Sequence, residues 1–484
     1  MTRIVIIGGG IAGLAAAYYA KTHIPDAHIT VIEADSHWGG KIMTDRVAFN
    51  DGQFIIEGGP DSFLATKPWG AALCKELGLG ERLHGTNPQK NTYILKKGHL
   101  LPIPEGLAMM IPSDISSMLR SRLISWFGKL RMGLDLLLPT KTNEGDESLG
   151  AFVSRRFGRE AYENFIEPLM SGIYAGDGDQ LSLRSTFPYL RDLETKYGSL
   201  ARGARQVRKQ SNGQAVPGSR SAFLTLTTGL AEVVESLVEH LSSNRATLCL
   251  NTCAARITRN SEHRTWETEF DTGESIESDG LILATPAYVS GTLCASFDLD
   301  LGSALQSIPY TSTATVSLGY PLSNVRHKLD GYGYVIPRRE GRKALACTWT
   351  STKFPHRAPE GHALIRVFIG RAGQDILWNE NELVELAKEE LNLTLGVTAE
   401  PLISRVFMWD KAMPQYNLGH PEILNRIDAA LENQPGLALA GNGYRGIGIP
   451  DCIHSGELAI EKVTRDLSQE PAKATGMLQH IQCN

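Results

Sequence analysis

Near the start of the chain, Gly8-Gly9-Gly10-Ile11-Ala12-Gly13 has the residue types and spacing that bring bare backbone N–H groups up to a phosphate. Glu33, 20 residues beyond Gly13, can accept from ribose hydroxyls. In this G-x-G-x-x-G arrangement Gly8 permits a tight turn, Gly10 lets the main chain approach a pyrophosphate, and Gly13 lets a helix pack closely on a strand. The helix N-terminus adds free N–H groups and a partial positive charge. Glu33 favours an unphosphorylated ribose, because a hydrogen bond to a charged acceptor contributes about 1.5–3 kcal/mol and a 2′-phosphate would be repelled. Two further glycine clusters, Trp38-Gly39-Gly40-Lys41 and Glu57-Gly58-Gly59-Pro60-Asp61-Ser62, can return backbone donors to the phosphate end.

These residues need a strand–turn–helix frame, and their neighbours supply it. Arg3 to Ile7 is a short β-branched strand, an alanine-rich helix runs from the glycines to about Lys21, and His28 to Ile32 makes a second strand ending at Glu33. At the other end, Gly436 to Ala440 reads as a buried strand, followed by a Gly441 to Pro450 loop and an amphipathic helix from about Asp451 to Asp466. Gly441-x-Gly443-x-x-Gly446 repeats the glycine pattern. Only 38 residues follow Gly446, and no second strand ending in Asp or Glu is among them. This helix N-terminus is therefore expected to cap a flavin held by the first site, its dipole facing the isoalloxazine.

Composition bounds the remaining possibilities. The 484 residues suggest about three domain-sized units, or two with insertions. With 42% apolar and 21% charged residues, disorder, collagen and coiled coil are poor readings, and a net charge of −5 argues against a nucleic-acid partner. The seven cysteines are scattered, with no CxxC pair or metal spacing, and read as reduced thiols. No HxH, HExxH or GxSxG element appears, so neither a metal site nor a serine hydrolase is expected. The longest uncharged stretches, 4–20 and 281–297, are interrupted by Gly, Pro, Ser or Thr, so any membrane contact is expected to be peripheral.

Four stretches carry a family resemblance: Gly8 to Gly13 with Glu33; Gly58-Gly59-Pro60-Asp61-Ser62-Phe63-Leu64; Glu167-Pro168-Leu169-Met170-Ser171-Gly172-Ile173-Tyr174-Ala175-Gly176-Asp177; and Gly441-Asn442 through Gly448-Ile449-Pro450-Asp451-Cys452-Ile453. Together they resemble the flavin monoamine oxidase and protoporphyrinogen oxidase superfamily, and within it the soluble bacterial porphyrinogen oxidases of heme synthesis. The first stretch is shared by many flavoproteins, whereas the last two are characteristic of porphyrinogen oxidases. Phe223 to Leu226, Gly229-Leu230, Trp409 and Pro414-Gln415-Tyr416 spread the likeness over nearly the whole chain.

The resemblance implies an α/β fold, α+β overall, in which a Rossmann-like FAD-binding domain of the amine-oxidase type is interrupted by a discontinuous substrate domain. Residues 1–85, 222–298 and 405–467 would form the flavin domain, 86–221 and 299–404 the substrate domain, and 468–484 a tail. FAD would be held by Gly8, Gly9, Gly10, Ile11, Ala12 and Gly13, by Glu33 with Ala34, and by Gly40 with Lys41. Further contacts would come from Gly58, Gly59, Pro60, Asp61 and Ser62, from Trp409, and from Asn442, Ile447, Gly448 and Ile449. Ala254 stands where relatives often carry Val with its backbone towards the adenine. Lys67 is expected to contact a substrate carboxylate. Tyr174 and Asp177 match the motif without a role that spacing assigns.

The implied activity is a cytoplasmic, oxygen-using, six-electron oxidation of coproporphyrinogen III to coproporphyrin III with release of peroxide. The alternatives are a protoporphyrinogen IX oxidase, a flavin amine oxidase or carotenoid desaturase, and a flavin-free escort protein. Two segments stand apart. Gly198 to Arg220, with Arg202, Arg205, Arg208, Lys209 and Arg220 and no acidic residue, reads as a solvated, mobile basic loop, with a surface that attracts an anionic partner or substrate as the alternative. Pro104 to Pro139 carries Trp126 among Leu, Ile and Met, with Arg120, Arg122, Lys129 and Arg131. Its helical apolar spacing reads as core, with lipid contact as the alternative.

Overall fold

Strands whose residues are apolar on both faces need cover on both sides, and the first strand is of this kind. Arg3–Ile7 lies in the middle of a five-stranded, wholly parallel sheet whose order is Thr247–Cys249, His28–Ile32, Arg3–Ile7, Gly280–Leu283 and Leu437–Leu439. Ile4, Ile6, Ile29, Val31, Leu281, Ile282 and Leu437 are fully buried there. The helix Ile11–His23 is rich in alanine because it is enclosed too, with Ile11 to Ala20 all buried. Its neighbour is the closing helix, Ile449–Ser468. The two backbones approach so closely that a Cβ on Gly456 would lie 2.4 Å from the Ala12 carbonyl oxygen.

The computed structural model describes residues 2–88, 91–104, 107–108, 111–112, 115–141, 145–212, 221–260, 262–376 and 379–469. Its second layer is a seven-stranded sheet in the order Ile403–Pro414, Tyr310–Pro321, His362–Ile369, Ala344–Trp349, Gly333–Val335, Thr92–Lys96 and His99–Pro102. All its pairings are antiparallel except that of Gly333–Val335 with Thr92–Lys96. Helix Glu380–Leu395 covers it through Leu383, Ala387, Leu391 and Leu395. A third, helical region between 115 and 212 has its own core around Phe152, Tyr162, Phe165, Met170 and Leu190. Thus the fold is α/β, with parallel and antiparallel layers in one chain.

Three sequence expectations are corrected. Residues Leu200–Asn212 form a helix, not a loop, because Leu200 and Ala204 find a core while Arg202, Arg205, Arg208 and Lys209 take the exposed face. Residues 213–220, including Arg220, lie outside the described residues, as do 470–484 of the expected tail. Within the 104–139 segment, Leu123 and Ile124 are core, but Trp126, Phe127, Leu130, Leu134 and Leu137 are exposed, Phe127 by 85% and Leu137 by 81%. The short helix Trp126–Gly133 rides above the core without a layer outside it. Cys74, Cys253, Cys294, Cys347 and Cys452 are free thiols as expected, whereas Cys249, at the end of an edge strand, is disulfide-bonded. Among the described residues no helix is long and apolar enough to cross a membrane.

Candidate functional site

The first strand delivers the chain into the glycine turn, where each residue is fixed by what surrounds it. Gly8 has φ +111°, and a Cβ there would sit 2.7 Å from Ala284 O; at Gly13 a Cβ would sit 1.9 Å from Gly8 O; at Gly9 it would meet the Trp38 ring at 2.4 Å. Gly10 differs: a Cβ there would meet nothing within 4 Å. Its bareness is therefore not demanded by packing, and it leaves the head of the helix open to an approaching group. Gly10 is the helix N-cap with no side-chain cap, so the first-turn N–H groups of Ile11 and Ala12 have no acceptor within the helix. This cradle fits a pyrophosphate.

The second and third glycine clusters close on the same point. Gly39 N donates to Gly9 O at 2.9 Å, and a Cβ on Gly40 would lie 3.3 Å from Gly10 Cα. Gly59 sits against Lys41, where a Cβ would be 1.9 Å from the Lys41 carbonyl oxygen. Burial pushes the Lys41 ammonium below its ordinary pKa, opposed only by the Cys452 side chain. Glu33 and Ala34 follow the second strand. The Glu33 carboxylate accepts from Gly9 N at 2.6 Å and Asp35 N at 2.9 Å, which fixes it beside the turn. Main-chain bonds from Glu33 N to Cys249 O and from Thr252 N to Glu33 O lead directly to Ala254, the first residue of the strand Ala254–Asn260. Glu33 and Ala254 thus share one end of the site.

The opposite end is made by the loop before the closing helix. Gly448 is that helix's N-cap, and Ile449 its first residue. The Asp451 carboxylate accepts from Gly448 N at 3.1 Å and leaves no room for a side chain at Gly446, whose φ is +147°. Tyr416 holds the loop from the other side: its hydroxyl donates to Asn442 O at 2.6 Å and accepts from Gly446 N at 2.9 Å, and its ring stacks on His420 at 4.2 Å. Next to it, Gln415 Nε2 donates to Tyr174 O at 2.9 Å, tying the 167–177 segment to this loop. Tyr174 is buried, and burial together with the Asp451 charge raises its hydroxyl well above the ordinary tyrosine value. Ile447 is half-buried beside the same core.

Lys67, the N-cap of helix Pro68–Glu76, reaches Asp451 with Nζ 2.6 and 2.7 Å from the two carboxylate oxygens. It is therefore tied to the closing helix while part of its side chain stays exposed. Pro60, Asp61 and Ser62 leave the glycine pair in another direction. Lys353 Nζ lies 2.9 Å from both Asp61 oxygens, and Ser62 Oγ donates to Asp61 at 2.6 Å. Burial opposes ionisation of Asp61, but Lys353, Ser62 and the Arg366 charge outweigh it and hold the carboxyl at about 2. Trp409 is directed at the main chain, its indole N–H donating to Gly58 O at 3.0 Å.

Sequence reasoning missed Arg366, Thr315, Lys353 and the Tyr416 hydroxyl. For Arg366 the available signal was a single arginine in the otherwise apolar run 363–369. Among the described residues, no group of three or more His, Cys, Asp or Glu could hold a metal ion.

Residues 11–464 match the family described as flavin containing amine oxidoreductase. The chain is 38% identical over 467 residues to the coproporphyrinogen III oxidase of Bacillus subtilis strain 168, covering 95% of this chain and 97% of that protein. It is 36% identical to the coproporphyrinogen III oxidase of Staphylococcus aureus strain NCTC 8325 / PS 47, covering 96% and 100%. A crystal structure from Exiguobacterium sp. 255-15, described provisionally as a protoporphyrinogen oxidase, superposes with a TM-score of 0.84 at 35% identity over 97% of this chain and 99% of that one.

Proposed function

This chain belongs to the family of flavin containing amine oxidoreductases and binds FAD, and we propose that it is a coproporphyrinogen III oxidase of heme biosynthesis. One observation carries the reading: the 167–177 segment, characteristic of porphyrinogen oxidases, is bonded through Gln415 and Tyr416 to the loop that opens the closing helix. The identity to the Bacillus subtilis and Staphylococcus aureus enzymes over nearly the whole chain supports the same substrate. Protoporphyrinogen IX is the second substrate to compare, since the Exiguobacterium protein carries that description.

The chemistry that FAD supplies when bound is hydride acceptance from a meso carbon and delivery of the electrons to molecular oxygen, three rounds of which convert a porphyrinogen into a porphyrin. The chain's own residues bind and orient. In this reading the Gly8–Gly13 turn and first-turn amides take the pyrophosphate, with Gly40 and Lys41 behind it, and Glu33 and Ala254 take the adenosine end. Gly58, Gly59, Asn442, Ile447, Gly448 and Ile449 face the flavin end, while Pro60, Asp61, Ser62 and Trp409 fix the loop that faces it. The pieces 1–85, 222–298 and 405–467 carry the cofactor, and 86–221 with 299–404 carry the substrate, although the strand Ile403–Pro414 pairs within the seven-stranded sheet. Leu169, Val335 and Ile447 pack half-buried against the helical core, and in this reading their exposed parts would meet the flat macrocycle. Lys67 offers a substrate carboxylate the N–H that Asp451 does not use, since an ammonium has three donors.

We also propose a cytoplasmic enzyme that touches the membrane peripherally. The exposed Trp126, Phe127, Leu130, Leu134 and Leu137 support this, together with the basic face of Leu200–Asn212, whose Arg202 donates to Leu136 O. The decisive experiment compares the two porphyrinogens with one yellow preparation in air, following porphyrin fluorescence. Faster turnover of coproporphyrinogen III is expected. Turnover of polyamines with neither porphyrinogen oxidised would overturn the assignment.

A further inference from the structure

The Gly58 carbonyl oxygen accepts three hydrogen bonds, all from the seven-stranded sheet: Arg366 Nη2 at 2.9 Å, Thr315 Oγ1 at 3.0 Å and Trp409 Nε1 at 3.0 Å. Arg366 also donates to Gly59 O at 2.5 Å, so both carbonyls of the glycine pair turn towards one guanidinium. A carbonyl oxygen has two lone pairs, so a third donor holds it by charge beyond what satisfaction of the group requires. Arg366 is buried, and Asp61 and Glu57 act on it only as charges without a hydrogen bond; burial lowers its pKa to about 10. A buried cation directed at main-chain oxygens is a costly arrangement for fold stability alone.

Its geometric consequence concerns the amides. The peptide between Gly58 and Gly59 is trans, so fixing the Gly58 C=O towards the sheet fixes the Gly59 N–H in the opposite direction. Of the neighbouring amides, Gly58 N is used by Met43 O at 2.8 Å, and Pro60 has none. Gly59 packs against Lys41, in the same cluster as Gly10 and Gly40. We propose that the Gly59 N–H is a donor to the bound FAD and that Arg366, Thr315 and Trp409 are positioning residues that aim it from the opposite sheet. Trp409, expected from sequence as a flavin contact, then does one job with Arg366 and Thr315, which sequence missed.

The test uses FAD reconstitution of the purified protein, read by quenching of flavin fluorescence and by the visible flavin spectrum. Thr315→Val and Trp409→Phe should each weaken FAD binding by about three- to tenfold, the ratio that corresponds to one lost hydrogen bond. Both should shift the flavin bands, and the double variant should lose less than the product of the two, because they share one acceptor. Arg366→Lys keeps the charge but not the fork, and should fold with weakened FAD binding. The control is Trp349→Phe, since Trp349 is a buried tryptophan of the same sheet whose Nε1 has no partner. It should leave FAD affinity and spectrum unchanged. Wild-type affinity and spectrum in the Thr315→Val/Trp409→Phe double variant, or equal weakening by Trp349→Phe, would overturn the proposal.

Discussion

The pairing of Lys67 with Asp451 decides how a substrate carboxylate can be met. Asp451 takes two contacts of the ammonium, yet Lys67 keeps a side chain 39% exposed while Asp451 is 12% exposed. Lys67→Met should raise KM for coproporphyrinogen III by about ten- to a hundredfold with kcat little changed, as expected for loss of a charge-assisted bond made equally in ground and transition states. Asp451→Asn should lower KM instead, since the amide oxygen can still accept from Gly448 while the ammonium is released. Steady-state kinetics on both variants check the pair, and an unchanged KM in Lys67→Met would remove Lys67 from the substrate site. At this scale the sequence was legible wherever a residue serves its own backbone: Gly8 answers to its own φ of +111° and Gly13 to the Gly8 carbonyl oxygen within the turn. Arg366 was not, because its partner Gly58 lies 308 residues away and only the folded sheet brings them together.

Among elements, the hairpin Thr44–Phe49 and Gly52–Glu57 feeds a loop pinned to the other layer by the Asp61–Lys353 ion pair. Asp61 is held at about 2 against an ordinary 3.8. Because the folded state favours its ionised form, its contribution is complete above about pH 4 and disappears as the pH falls towards 2. That contribution is about 2 kcal/mol. Asp61→Asn should therefore lower Tm at pH 6 and flatten its decline between pH 5 and 2, measured by thermal denaturation. A second element-level expectation concerns the helix Trp126–Gly133. Phe127→Glu with Leu130→Glu should abolish sedimentation with vesicles containing anionic lipid while shifting stability by no more than about 0.5 kcal/mol, since both side chains are exposed. Apolar spacing identified this segment as helical but could not tell which neighbour, protein or lipid, its face awaits. In Leu200–Asn212 the reverse happened: a basic, glycine-containing composition suggested a loop, and two small anchors, Leu200 and Ala204, were enough to make it a helix.

Over the whole molecule, segments from the beginning and the end of the described residues meet because the helices Ile11–His23 and Ile449–Ser468 lie side by side with almost no space between them. Gly456→Leu would place its side chain against Ala12 O and Ala16 N, 2.4 and 2.9 Å from the added Cβ. It should separate the two helix N-termini and yield a colourless protein, read as the absorbance ratio of flavin to protein after gel filtration. The parallel sheet explains why so much of this architecture could be read in advance: strand, glycine turn and helix are contiguous at each end, and each announces itself locally. The antiparallel layer, whose partners are set by long-range register, announced far less.

The order of strands across that parallel sheet carries one more consequence. Leu437–Leu439 pairs with Gly280–Leu283, which pairs with Arg3–Ile7, so neighbours in space are made at widely separated moments of synthesis. A nascent chain leaving the ribosome must keep its glycine turn waiting until the last strand and helix emerge. Translation products arrested before residue 437 are therefore expected to be unable to retain the vitamin-derived prosthetic group.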